Sequence, residues 1–136
     1  MLKLVVDTNR IISALLEDGS TRSAILKTGA RLFAPETLLD EIGRHMPLIA
    51  RRVGVSVADL SEILRPLLKR IEWVSEDDYR PYLERAREAM DPVDPKDVPY
   101  LACALAVEAD AIWSLDLHFG RQSLVPRVPH PEAKIR

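Results

Sequence analysis

Leu2-Lys3-Leu4-Val5-Val6-Asp7-Thr8-Asn9 decides the fold class. A run that is apolar except for Lys3 reads as a strand buried on both faces, the habit of parallel sheets, and its abrupt stop at Asp-Thr-Asn marks the hand-over to a helix. Ala111-Ile112-Trp113-Ser114-Leu115-Asp116 repeats the design near the other end of the chain: a short apolar strand over 111–114, then an aspartate. Between these two, residues 31–34 and 71–74 read as further strands. Residues 10–17 and 21–29 read as helices broken at Asp18-Gly19-Ser20, with Gly29 as the C-terminal stop of the second. Pro35 is expected in the first turn of a third helix, whose stripe is Leu38, Leu39, Ile42, Met46 and Ile49 with Glu41 beside it. Ser56 and Asp59 resemble a capping box ahead of Leu60, Ile63, Leu64, Leu67 and Leu68. Residues 77–90 read as a charged helix, and residues 91–97 as a loop opening the apolar helix 98–107. The proline-bearing tail holds one short edge strand around 125–128. Strands alternating with helices predict one α/β domain over residues 1–136, with a central, mostly parallel sheet of four to five strands.

The 136 residues are 47% hydrophobic, enough for a sizeable core. No stretch approaches the roughly 20 apolar residues of a membrane span, and the first residues lack the apolar length and cleavage site of a signal peptide, so a cytoplasmic protein is expected. Cys103 sits in the apolar run Leu101-Ala102-Cys103-Ala104-Leu105 and reads as a small packed side chain. With 19 basic and 21 acidic residues the net charge is −2, which argues against tight binding to a polyanion through bulk charge. Any nucleic acid must be held locally.

In open α/β sheets, ligands bind in the crevice beyond the C-terminal ends of the strands. Asp7 and Asp116 are placed there. Asp94 and Asp97 lie just before or within the first turn of a helix entering the same edge, and Glu41 can reach it from the third helix. Carboxylates brought together without a cation repel one another and take up protons, so their convergence makes sense chiefly around Mg²⁺ or Mn²⁺. No Cys/His set has zinc spacing, because His45, His118 and His130 are scattered. Taken singly, each acid has an ordinary explanation: Asp7, Asp97 and Asp116 as helix caps, and Glu41 as a surface residue whose role Glu36 or Asp40 could equally fill.

Four segments taken together, in this order and at these separations, resemble the PIN-domain ribonucleases, including the VapC-type toxins: Val5-Val6-Asp7-Thr8-Asn9, Pro35-Glu36-Thr37-Leu38-Leu39-Asp40-Glu41-Ile42, Asp94-Pro95-Lys96-Asp97 and Ile112-Trp113-Ser114-Leu115-Asp116. The resemblance implies a three-layer α/β/α PIN-like fold and hydrolysis of RNA phosphodiester bonds with Mg²⁺ or Mn²⁺. It implies Asp7, Glu41, Asp97 and Asp116 as the catalytic acids, Asp94 as a further acid beside Asp7, Asp97 and Asp116 at the metal, and Thr8, Asn9 and Ser114 as polar groups that hydrogen-bond them. It further implies an antitoxin partner and a homodimer. His118 is a departure, standing where many members carry another acid; it would weaken a metal site or offer a proton-transfer group, unless it is an ordinary half-exposed loop histidine. Arg10, Lys96, Arg121 and Arg44 are candidates for contacts to substrate phosphates at the mouth, each with a solvated surface residue as the alternative. Trp73, Trp113, Tyr79, Tyr82 and Tyr100 are expected in the core or an interface, and none is assigned to RNA. The competing function is a PIN-like protein- or RNA-binding assembly module with little catalysis. A phospho-acceptor receiver domain ranks below both, since no lysine partner for its aspartate can be placed.

Overall fold

Val5 pairs with Phe33 on one side and with Ile112 on the other, which puts β1 (Lys3–Val6) at the centre of the sheet. The computed structural model describes residues 1–17, 19–90, 94–133 and 135. Among these, β2 (Arg31–Pro35), β3 (Ile71–Val74), β4 (Ala111–Trp113) and β5 (Arg127–Val128) complete a five-stranded sheet in the order β3-β2-β1-β4-β5. Every pairing is parallel. Leu4, Val5 and Val6 are fully buried, as a central strand covered on both faces requires.

Parallel neighbours need crossover connections, and the helices supply them. α1 (Thr8–Leu16), α2 (Ser20–Lys27), α3 (Thr37–Val53) and α4 (Val57–Lys69) pack on one another as one layer. α5 (Glu76–Tyr79), α6 (Leu83–Met90) and α7 (Val98–Ala106) form the other, with α7 lying against β2, β1 and β4. The architecture is the expected three-layer α/β/α arrangement, and one hydrophobic cluster runs through all three layers. No helix among the described residues is long and apolar enough to cross a membrane.

Local departures from the sequence expectations have local causes. Pro35 ends β2 rather than starting a helix: it stands opposite Val74 of β3, the following Glu36 amide donates to the Val74 carbonyl at 2.9 Å, and α3 begins two residues later at Thr37. Leu39 is 41% exposed, one step off the stripe formed by Leu38, Ile42, Met46 and Ile49. α2 ends at Lys27 with Thr28 in an extended conformation, so Gly29 is not its left-handed cap; that device appears at Gly54 (φ 80°), which closes α3. The helix expected over 77–90 is split by a 3₁₀ turn, Arg80–Tyr82, because Pro81 has no amide hydrogen to continue the α-helical ladder. Ser56 does cap α4, its Oγ accepting from the Asp59 amide at 3.0 Å. Asp18, at the expected break between α1 and α2, and residues 91–93 of the expected loop lie outside the described residues.

The chain steps outward from β1 to β2 and β3, then returns to add β4 and β5 on the far side of β1. The direction of winding therefore reverses between the C-terminal ends of β1 and β4, where an open sheet leaves a crevice. Asp7 and Ser114 follow those two strand ends directly.

Candidate metal centre

The register that sets Val6 opposite Trp113 also sets Asp7 beside Ser114. The Asp7 amide donates to the Trp113 carbonyl at 3.2 Å, and the fully buried Ser114 hydroxyl donates to Asp7 Oδ2 at 2.6 Å. Ser114 Oγ in turn accepts from the Asp116 amide at 2.9 Å, so one hydroxyl ties together the acids that leave β1 and β4. Asp7 also caps α1, accepting from the Asn9 amide at 3.3 Å. Asp116 Oδ1 caps a 3₁₀ turn (Leu117–Arg121) through the His118 amide at 2.9 Å, and Asp94 Oδ1 caps another (Pro95–Asp97) through the Lys96 amide at 3.0 Å. The capping explanation and the convergence are thus both true. Asp97 differs: it stands at the N-cap of α7 with no capping bond, is only 8% exposed, and its Oδ2 has no hydrogen-bond partner.

Glu41 comes to the same place from α3. Its Oε2 lies 2.6 Å from Thr8 Oγ1 and 3.1 Å from the Tyr100 hydroxyl, which also contact each other, so the two hydroxyl hydrogens are shared over a three-membered cluster that ends on the carboxylate. Glu36 and Asp40 are exposed and do not line the cleft. Tyr100 is buried, its ring edge packs on Phe119 with centroids 6.3 Å apart, and burial raises its pKa, so it stays a donor at any working pH. Sequence reasoning gave Tyr100 to the core and missed this role. The signal was its position three residues after Asp97, on the same face of one helix. Tyr100→Phe removes a donor to a carboxylate and should cost about 1–3 kcal/mol of stability in urea unfolding; an unchanged midpoint would mean that the hydroxyl contributes nothing.

Asp7, Glu41, Asp94, Asp97 and Asp116, from four separate stretches of chain, line one cleft of about 520 Å³ together with Thr8, Asn9 and Tyr100. Arg44, His45 and Lys96, all exposed, complete its wall. A hollow of similar size, about 540 Å³, lies between α4 and β3, but Leu64, Leu68, Ile71 and Trp73 line it and no acid does. Two of the basic candidates do not line the acidic cleft. Arg10 turns into the protein, 8% exposed, with Nη2 donating to Ser13 Oγ at 3.2 Å and Nε unpartnered. Arg121, at the end of its 3₁₀ turn, lines a different surface hollow with Arg85 and Glu88. Trp113 and Tyr79 are core residues, as expected. Cys103 is fully buried, and burial pushes its thiol up to about 12, which leaves it inert.

Burial, reinforced by the charges of Asp116, Asp94 and Asp7, pushes Asp97 up to about 7, against the opposing pull of His118. Burial also raises Asp7, although the Ser114 and Asn9 hydrogen bonds and the Arg10 charge oppose it. Among the described residues, no lysine or arginine forms an ion pair with any of the five cleft acids. The near neighbour is His118, half-exposed, with Nδ1 at 3.3 Å from Asp116 Oδ1, 3.5 Å from Asp94 Oδ2 and 3.7 Å from Asp97 Oδ2. Asp94, Asp97 and His118 each offer a ligand atom, all within 4.8 Å of one another. Buried carboxylates held toward the protonated form, an orphaned carboxylate oxygen and oxygen-rich donors fit a divalent cation.

The model of the PIN domain family matches residues 5–124, from β1 past the last of these acids. Among solved structures, the chain is similar to one in the crystal structure of VapBC2 from Rickettsia felis bound to a DNA fragment from their promoter. That similarity has a TM-score of 0.71 at 14% sequence identity and covers 93% of this chain and 98% of the other. No curated protein sequence matches significantly. At such identity the structural likeness speaks for the fold alone. With the family model covering most of the chain, β2, β3, β4 and the whole acidic cleft included, this chain belongs to the PIN domain family.

Proposed function

We propose that this PIN-domain protein is a metal-dependent endoribonuclease and the toxin member of a toxin–antitoxin pair. The observation that carries the reading is the convergence of five carboxylates in one cleft at the topological switch point, one of them buried with an unpartnered oxygen. Asp7, Asp94, Asp97 and Asp116 are the residues that would hold Mg²⁺ or Mn²⁺. The ion, when bound, supplies Lewis-acid polarisation of a phosphate oxygen and makes water a better nucleophile at neutral pH.

The chain supplies the rest. Ser114 and the Asn9 amide fix both oxygens of Asp7, so its rotamer is set before any ligand arrives. Thr8 and Tyr100 hold Glu41 through Oε2, leaving Oε1 without a partner among the described residues to take a proton from the attacking water. Arg44 and Lys96 at the mouth provide the local positive charge that a chain of net charge −2 lacks in bulk, and they would contact backbone phosphates of single-stranded RNA. The fold likeness to a VapBC2 chain supports an antitoxin as the partner that covers the cleft. A homodimer acting in the cytoplasm completes the proposal.

Purified protein should cleave single-stranded RNA with Mg²⁺ or Mn²⁺, lose all activity in EDTA and regain it when the ion is restored. Cleavage that persists in EDTA would remove the metal from the mechanism. Absence of both cleavage and calorimetrically detected cation binding would leave a binding module. Protons compete with the ion at Asp97, so cation affinity should fall as pH drops through about 7. Equal affinities at pH 8 and pH 6 would contradict that competition.

A further inference from the structure

We propose that His118 is a ligand of the divalent ion through Nδ1, and that it biases the centre toward Mn²⁺ and other transition ions over Mg²⁺. The inference rests on the cleft being a cation site. It adds a donor of a different kind to the carboxylates.

The His118 side chain is 38% exposed, yet its Nδ1 is buried and has no hydrogen-bond partner, so Nδ1 is the nitrogen turned into the cluster. Asp97 Oδ2, the other orphaned atom of the cleft, is 3.7 Å away. Nδ1 stands 3.3–3.7 Å from oxygens of three different aspartates. These separations are longer than an N–H···O hydrogen bond of about 2.7–3.2 Å. They are close to the spacing of about 3 Å between adjacent ligands around an octahedral ion. The backbone at this position is fixed: the His118 amide is bonded to Asp116 Oδ1 at 2.9 Å, in the first turn of the 3₁₀ helix that Asp116 caps. Position 118 is therefore tied to an acid of the same cluster.

Donor chemistry then sets the preference. Mg²⁺ favours carboxylate and water oxygens, whereas an imidazole nitrogen suits first-row transition ions, whose affinities rise from Mn²⁺ toward Cu²⁺. A carboxylate-rich set with one imidazole discriminates against Mg²⁺ without becoming a zinc site of the Cys/His kind. The rival role for His118 is a fixed imidazolium that neutralises the three acids. It makes the opposite forecast, since a built-in positive charge repels the incoming ion.

The test is direct ion binding by tag-free, EDTA-stripped protein, with Mn²⁺ and Mg²⁺ titrated separately at pH 8 and followed by calorimetry and Mn²⁺ paramagnetic resonance. His118→Ala and His118→Gln should each weaken Mn²⁺ by roughly tenfold or more while changing Mg²⁺ much less. His118→Asp should tighten Mg²⁺ and narrow the gap between the two ions. Substoichiometric Mn²⁺ should broaden the His118 ring resonances of the wild type ahead of those of His45 and His130. Unchanged or tighter Mn²⁺ binding in His118→Ala would overturn the proposal while leaving the cleft a cation site. No binding of either ion by the wild type would remove both.

Discussion

Asp97→Asn should abolish RNA cleavage and cation binding and yet give a metal-free protein more stable than the wild type. The first half follows from position: Asp97 is buried at the start of α7 with an unpartnered oxygen among three other acids, so it is the carboxylate with least to do unless a cation is present. Losing it should remove several kcal/mol of transition-state charge stabilisation, about 10³-fold in rate. The second half follows from linkage. Asp97 titrates near 7 in the folded protein against an ordinary value of 3.8, so the folded state holds a proton that the unfolded chain releases. Stability of the metal-free protein therefore declines as pH rises from about 4 through 7, and the full penalty stands above that range. The neutral amide escapes it, and should raise stability at pH 8 by about 2 kcal/mol, part of the limit that 1.36 kcal/mol per pKa unit allows. At pH 5 the gain should fall to less than half, because the folded acid is protonated there while the unfolded one is already ionised, and it should vanish only below about pH 4. Thermal melts in EDTA at the two pH values decide the matter: a variant less stable than the wild type at pH 8 would show that burial and the neighbouring acids put no penalty on ionised Asp97.

The same physics explains what could be read from the chain before its structure. Asp7 and Asp116 were legible because a parallel strand buried on both faces is a continuous apolar word, and the first acid after it sits at the sheet edge where ligands bind. Glu41 was separable from Glu36 and Asp40 only through the family resemblance; its helix periodicity gave it no distinction, and what selects it in space is the meeting with Thr8 and Tyr100. Tyr100's role escaped, and His118 stood out only as a departure with several readings, for a different reason. An aromatic ring on an apolar helix and a histidine in a turn have ordinary roles at most such positions, and their hydroxyl and Nδ1 acquire meaning only from partners 59 residues away for Tyr100, or from three aspartates brought together for His118. Arg10 failed in the reverse sense. Its charge suggested solvent and substrate, but at the third residue of α1 the helix turns it inward, where it acts on Asp7 electrostatically from within the protein. Charge type alone does not give direction.

Trp113→Ala should be the most destabilising of the substitutions considered, and its damage should reach the cleft. Trp113 is 2% exposed in β4, between Val6 and Val128 in the register, and its indole N–H donates to the Pro129 carbonyl at 3.2 Å. Truncation leaves a cavity, orphans that carbonyl and loosens the hold on the two-residue edge strand β5. Trp-to-Ala changes in cores cost about 3–5 kcal/mol, a large share of the roughly 5–15 kcal/mol that holds a domain folded. Trp113→Phe keeps most of the volume and should cost less than half as much. The reach to the cleft follows from the backbone: the Trp113 carbonyl receives the Asp7 amide, and the next residue, Ser114, fixes the Asp7 carboxylate. A shift of β4 therefore displaces two acids at once, and cation affinity should drop in Trp113→Ala but hold in Trp113→Phe. Denaturant unfolding paired with Mn²⁺ titration separates the outcomes. A cost under about 1 kcal/mol for the alanine variant would contradict a core role for the indole and return it to the surface as a base-stacking ring. Full cation affinity in a destabilised alanine variant would instead break the link between sheet register and site, and place the organisation of the carboxylates on α7 and the capped turns.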